Sequence, residues 1–235
     1  MTKAPLTQFE PDPERLAIIR WWVDQKAFQS CEPLAEWPLN IISRQAVVYG
    51  SGNIAREGDS VHLAVDPEEL DRCRRLSAEI AELMAGVEVG MGSESSDEFR
   101  GFFIAGSVIE SAPLSIDEEL IRSRFGGTIF PPATISVEPL AEGTEWWTVV
   151  EDFYSDPGDV DDLVPWRSMI RWFQDRPEFT TTAFVRIGDE PELWNLPEDQ
   201  WPPGTEMTPA ALPRLAVGLT PEGSLIGLLG YVVYT

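Results

Sequence analysis

The sequence predicts an α/β fold, specifically an α-β-α sandwich around a mainly antiparallel sheet. Apolar residues recur at helical spacing in 66–84, 115–125 and 165–176, and helix start signals precede the first two runs. Strand-like runs alternate with these helices. The chain closes on two apolar runs, 214–219 and 225–234, joined by the turn sequence TPEGS. Helices interleaved with antiparallel strands have to cover the sheet's apolar surface, which is the physical reason for layers. At 235 residues, with 43% hydrophobic content and nine Trp, the chain can bury a substantial core.

The elements follow in order. Pro11 and Pro13 lead into a helix over 14–29, with Leu16, Ile19, Val23 and Ala27 on one face and Trp21 and Trp22 as packing or rim residues. Pro33 and Pro38 interrupt the chain beyond it. Short strands follow at 46–49 and 61–65, with a Gly-rich turn at 50–53. GSGN in that turn is too short for a phosphate loop. Asp66-Pro67-Glu68-Glu69 matches an N-cap, a proline at the first helical position and acids over free N–H groups. Leu70, Cys73, Leu76, Ile80 and either Leu83 or Met84 line the inner face of that helix, and Gly86 ends it. After SESSDEF comes a buried-looking strand over 101–108. A helix starts at 115–119 and ends near Gly126 and Gly127. Strands are expected at 134–137 and 146–150, then an acidic loop at 152–162 containing Phe153 and Tyr154. Trp166, Met169, Ile170 and Phe173 share one side of a helix over 165–176, and a strand follows at 180–187. The stretch 188–211 reads as a Pro- and Glu-rich loop, with Trp194 and Trp201 as anchors. This divides the chain into an N-terminal extension, 1–65, packed on a main body, 66–235, that carries a Pro-rich insertion at 188–211.

Charge narrows the function. Forty Asp and Glu face 17 Lys and Arg, a net charge of -23. Nucleic-acid backbones need concentrated cations, so DNA and RNA are excluded as direct partners. A basic protein is the natural counterpart, with association steered by charge and sensitive to salt. An acidic surface serving solubility alone is the competing reading. No apolar run is long enough to span a membrane, and 1–15 lacks the apolar core of a signal peptide, so a cytoplasmic location is expected. Cys31 and Cys73 do not make a disulfide framework, and with a lone His62 they give no zinc spacing. His62 sits in an alternating run as a structural or surface residue, and Cys73 as a small buried hydrophobe.

From Asp66 onward the sequence resembles the nuclease A inhibitor family, acidic bacterial proteins that block a sugar-nonspecific DNA/RNA endonuclease. The segments that carry the resemblance occur in one order: ELDRCRRLSAEIAELMAG, SESSDEFRGFF, SAPLSIDEELIRSRFG, EWWTVV with its acidic loop, IRWFQD, TTAFVRIG and LAVGLTPEGSLIGLLGYVVYT. The last is the most specific. The resemblance implies a site at Ser93, Glu94 and Ser95, with Glu94 carried into the nuclease to contact its catalytic metal. It implies a further contact from the C-terminal residue, Thr235, and an aromatic anchor in the acidic loop, Tyr154 or its neighbour Phe153. Ser96, Asp97, Glu98 and Arg100 depart from the family's Glu, Tyr, Pro and Glu, and Tyr234 stands where the family has an acid. Residues 1–65 and 188–211 lie outside the resemblance.

Simple chemistry agrees with that implication. A carboxylate on a fixed loop can substitute for phosphate and ligate a hard cation through oxygen. The leading expectation is a non-enzymatic inhibitor with no cofactor of its own, reaching the Mg²⁺ of a partner nuclease. An acidic binding module with a changed, non-nuclease partner is the alternative. A third option, an enzyme built on a carboxylate pair such as Glu94 with Glu98, needs a geometry that spacing does not supply.

Overall fold

The computed structural model describes residues 4–19, 41–91, 95–131, 133–155, 160–188, 197 and 210–234. Trp21, Trp22, Cys31, Ser93, Glu94, Trp194, Trp201, Thr235 and most of the Pro-rich insertion lie outside them. The architecture is mixed α/β, with helices and an antiparallel sheet. Helix α1 is Pro13–Ile19, and β1 (Ala46–Val48) and β2 (Ile54–Arg56) form a small antiparallel pair. Helix α2, Pro67–Leu83, is followed by β3 (Ser95–Ser96), β4 (Arg100–Ile104), α3 (Glu118–Arg124) and β5 (Ile135–Pro139). Then come α4 (Glu145–Phe153), α5 (Leu163–Gln174), β6 (Thr181–Ile187), β7 (Ala210–Leu219) and β8 (Leu225–Tyr234). The main sheet runs β3-β8-β7-β6-β5, and β4 also pairs with β8.

Helix α2 forms as its sequence dictates. The Asp66 carboxylate accepts from the Glu68 N–H at 3.0 Å, and Pro67 occupies the first position, where no N–H is needed. Leu70, Cys73, Leu76, Ile80 and Met84 are buried, whereas Leu83 is exposed. Met84 is therefore the residue that completes the inner face. Glu69 is buried too: it accepts from Thr220 Oγ1 at 2.8 Å and Arg72 Nη1 at 2.7 Å, tying the helix to the β7–β8 turn. Two neighbours on β4 show how the helices meet the sheet. Gly101 approaches α2 so closely that a Cβ would fall 2.7 Å from the Ser77 carbonyl. The next residue, Phe102, stacks on Phe125 at the end of α3, with ring centroids 6.0 Å apart.

Several local expectations are corrected. The run 146–150 is helical, within α4, and is not a strand. Its bulky residues suit a strand locally, but the Glu138 carboxylate accepts from the N–H groups of Glu145 and Trp146 and fixes a helix start. Trp146, Trp147 and Val150 then face the core, and Trp146 stacks on Phe184 at 4.2 Å. Residues 61–64 form no strand, and Val65 makes only an isolated bridge to Leu6. The amide of Ala64 is taken by Ser107 Oγ and its carbonyl by the Val108 N–H, so this backbone is committed to a loop. The strand expected over 101–108 ends at Ile104. Strand β7 begins at Ala210, inside the stretch expected to be loop, and includes Pro213 opposite Tyr231. Part of the expected acidic loop is structured as well: Asp152 and Phe153 end α4, and Val160–Asp162 is a single 3-10 turn.

The described part of 1–65 makes backbone bonds with the rest of the chain. Ser43 N donates to Thr128 O at 2.8 Å, Phe130 N to Ile41 O at 2.8 Å and Ala105 N to Ser51 O at 3.0 Å. The Tyr231 hydroxyl donates to Ile19 O at 2.6 Å, joining α1 to β8.

Candidate functional site

The site begins with the end of β8. Tyr231, Val232 and Val233 are buried, so this strand is anchored by its side chains. Burial, reinforced by Asp97, pushes the Tyr231 phenol above its ordinary range, so the hydroxyl remains a proton donor to Ile19. Along the outer side of β8, Ser95 pairs with Val233 and Ser96 with Val232. Further along, Arg100 pairs with Leu229. From Ser96 to Arg100 is four steps, and from Val232 to Leu229 three. One extra residue is thus accommodated between β3 and β4, which is a β-bulge on an edge strand.

A third stretch of chain braces the bulge. Val89 N donates to Asp97 O at 3.0 Å and Phe99 N to Val87 O at 3.2 Å, with Glu88 opposite Glu98. Val89 is buried over Gly230, where any Cβ would come within 2.4 Å of Val89 Cγ2. The brace ends in two left-handed residues, Gly90 at φ 57° and Met91 at φ 60°. Met91 is the sole described non-glycine residue at positive φ, and such strain persists where the surroundings enforce it. The SES segment follows after one further residue, Gly92.

Tyr154 caps the C-terminus of α4 and is half-buried against the core. Its neighbour Phe153 is 43% exposed and meets Tyr154 edge to face at 4.9 Å. The Phe153 ring also covers Gly90, where a Cβ would lie 2.8 Å from the ring. The aromatic pair therefore sits beside the chain that leads into SES. Of this pair, Phe153 presents the accessible ring.

Charge around this edge is mostly negative. Glu88, Glu98, Glu151, Asp152, Asp161 and Asp162 are exposed, while Arg100 pairs with Asp97 at 3.2 Å. Among the described residues no group of His, Cys, Asp and Glu is arranged to hold a metal. The edge can offer carboxylate oxygens, an aromatic face and backbone to a partner. Among the sequence candidates, Ser95 lies in β3 and Tyr154 packs against Phe153, the residue that covers Gly90, whereas Ser93, Glu94 and Thr235 lie outside the described residues. The brace at 87–91 was missed from sequence; its visible signal was the triplet Gly90-Met91-Gly92 directly before SES.

Elsewhere, His62 is exposed and Cys73 is buried, its thiol pushed up to about 12 chiefly by burial. Among the described residues no helix is long and apolar enough to cross a membrane. No protein-family model matches this chain, and no curated protein matches it.

Proposed function

We propose that this protein is an acidic inhibitor of a Mg²⁺-dependent, sugar-nonspecific nuclease, of the nuclease A inhibitor type. Its SES segment would enter the active site, with Glu94 reaching the nuclease metal. The observation that carries this reading is the pairing of Ser95 with Val233. Glu94 is one residue from Ser95 and Thr235 two from Val233, so the two candidate tips branch from one rung of the ladder. Phe153 over Gly90 supports a flanking aromatic contact. An α-β-α layering also fits the proposal: α2, α4 and α5 would cover one face of the sheet, and α3 with the N-terminal residues the other. A rigid sheet edge presenting carboxylates limits the entropy lost on binding.

The test is a titration of a Mg²⁺-dependent nonspecific nuclease from the same cell. Cleavage should fall to zero near one equivalent. Glu94→Gln should weaken inhibition at least tenfold, about 1.4 kcal/mol, because a neutral amide is a poorer ligand for a hard cation. Undiminished cleavage at excess protein would reject the reading, and full potency in the variant would remove Glu94 from it.

A second reading keeps the acidic edge but gives it a basic, non-nuclease partner. The Arg100–Asp97 pair favours it, since it puts a cation where the resemblance expects a carboxylate. Recovery of such a partner, displaced by changes at 93–100, would select this reading.

A further inference from the structure

A second feature lies at the other end of β8. Ile104 of β4 pairs with Leu225, eight residues before Val233, so the chain beyond Ile104 lies roughly 27 Å from the SES edge at 3.4 Å per residue. There a cleft of about 400 Å³ is lined by Asn53, Asp59, His62, Glu110, Pro113 and Arg124, among others. That volume falls in the range of ligand-sized sites.

Two polar side chains in its wall are incompletely satisfied. Asn53 is 7% exposed; its Nδ2 donates to Ala105 O, while Oδ1 has no hydrogen-bond partner. The Arg124 side chain is 9% exposed. Its Nη1 reaches Glu110 at 3.2 Å and its Nη2 Gly223 O at 3.1 Å, while Nε has no partner. Each side chain is held by its other atoms, and the unpaired acceptor and donor are both shut off from solvent. Such groups are costly to bury unpaired and are rare without a reason.

The rim adds apolar contact and charge. Val108 is 55%, Ile109 66% and Leu114 95% exposed, and these residues flank the lining residues Glu110 and Pro113. Large aliphatic side chains clustered on one exposed loop mark an interaction surface more often than a lone exposed leucine does. Asp59 and Glu110 are exposed in its lining, and Asp117, Glu118 and Glu119 are exposed at the start of α3, whose Leu120, Ser123 and Arg124 also line it; Glu110 is paired with Arg124 and Glu118 with Arg122.

We propose that this cleft binds an extended, basic peptide segment of a partner protein. A peptide group carries both complements, an N–H for Asn53 Oδ1 and a C=O for Arg124 Nε, and meeting them requires both side chains to turn out of the wall, since neither atom is accessible. Aliphatic side chains of the segment pack on Ile109 and Leu114, and flanking Lys or Arg meet the acidic rim. The site is independent of the SES edge, so one molecule can hold two partners at once.

The experiment uses the full ¹⁵N-labelled chain, titrated with acetyl-Lys-Leu-Lys-Leu-Lys-amide and, separately, acetyl-Glu-Leu-Glu-Leu-Glu-amide. The lysine peptide should give saturable amide shifts at His62, Ser123 and Gly126, and the glutamate peptide none. Ile109→Ser with Leu114→Ser changes two exposed residues and should weaken binding at least tenfold with the fold intact. Glu94→Gln should leave this binding unchanged. Absence of saturation at millimolar lysine peptide would overturn the proposal. So would shifts spread over the acidic surface as far as Phe153, or affinity unaltered by the double variant.

Discussion

Replacing Cys73 by Ala should reverse the order of stability between wild type and variant as pH rises. Cys73 is fully buried on the inner face of α2, with Sγ 4.0 Å from Glu69 Oε1. Burial raises its thiol from an ordinary 9.0 to about 12; Glu69 adds to this, while a bond with Ser224 and the charges of Arg72 and Arg15 offset part of it. The unfolded chain releases the thiol proton once pH passes 9, whereas the folded chain holds it until about 12. The unfolded state therefore binds fewer protons in that window, and stability falls with rising pH by up to about 1.4 kcal/mol per unit. The accumulated loss is about 1.4 kcal/mol at pH 10. Removing one buried atom of this size costs about 1 kcal/mol at neutral pH. Cys73→Ala should thus be the less stable protein at pH 7, match wild type near pH 10 and exceed it above. Urea unfolding followed by Trp fluorescence at pH 7, 9 and 10 measures the difference, and the other titrating groups are common to both proteins. A stability difference that stays constant from pH 7 to 10 would refute the buried, neutral thiol.

Trp146→Ala should destabilise the fold by about 3–5 kcal/mol, since it removes the stack on Phe184 and the Nε1–H bond to Pro139 O; a loss below about 1 kcal/mol in urea unfolding would contradict this packing. Phe153→Ala should weaken inhibition or partner binding at least tenfold, and Tyr154→Phe much less, because Phe153 holds the more accessible ring. Equal effects in a titration assay would remove the aromatic contact from the site.

Helices α2 and α5 were legible because their evidence is local. A cap, a proline and apolar residues at helical spacing lie within one stretch of chain, and Trp166, Met169, Ile170 and Phe173 are indeed buried together. The segment at 146–150 misled because two Trp and two Val favour strands on average, while the deciding carboxylate, Glu138, belongs to the preceding strand. The alternation at 61–65 misled for a similar reason, its amide and carbonyl groups being claimed by residues 107 and 108. Pro213 concealed the start of β7, since a proline argues against a paired strand. The adjacency of Ser95 and Val233 follows from strand order, which no local pattern encodes; only the resemblance anticipated two tips acting together. The brace at 87–91 was hidden because it is short, and its strain at Met91 is a property of backbone rather than composition.

The bulge and its brace raise a question that stability and function answer with opposite signs. Glu88 and Glu98 stand directly opposite each other across the bridge, and both are exposed. Like charges opposed on neighbouring strands are unfavourable by a few tenths of a kcal/mol or more. Glu98→Lys replaces that repulsion by attraction and removes two units of negative charge from the edge. Thermal unfolding should therefore shift upward slightly, by a degree or so, for a change worth roughly 0.5 kcal/mol. If the edge meets a basic partner, the same variant should associate several times more slowly at low salt, and the difference should shrink as salt screens the interaction. A pair retained for the fold alone would give the opposite pattern, with Glu98→Lys no more stable and association unchanged. A variant that is more stable yet slower to bind marks the acidic edge as shaped by its partner, at a cost to the sheet.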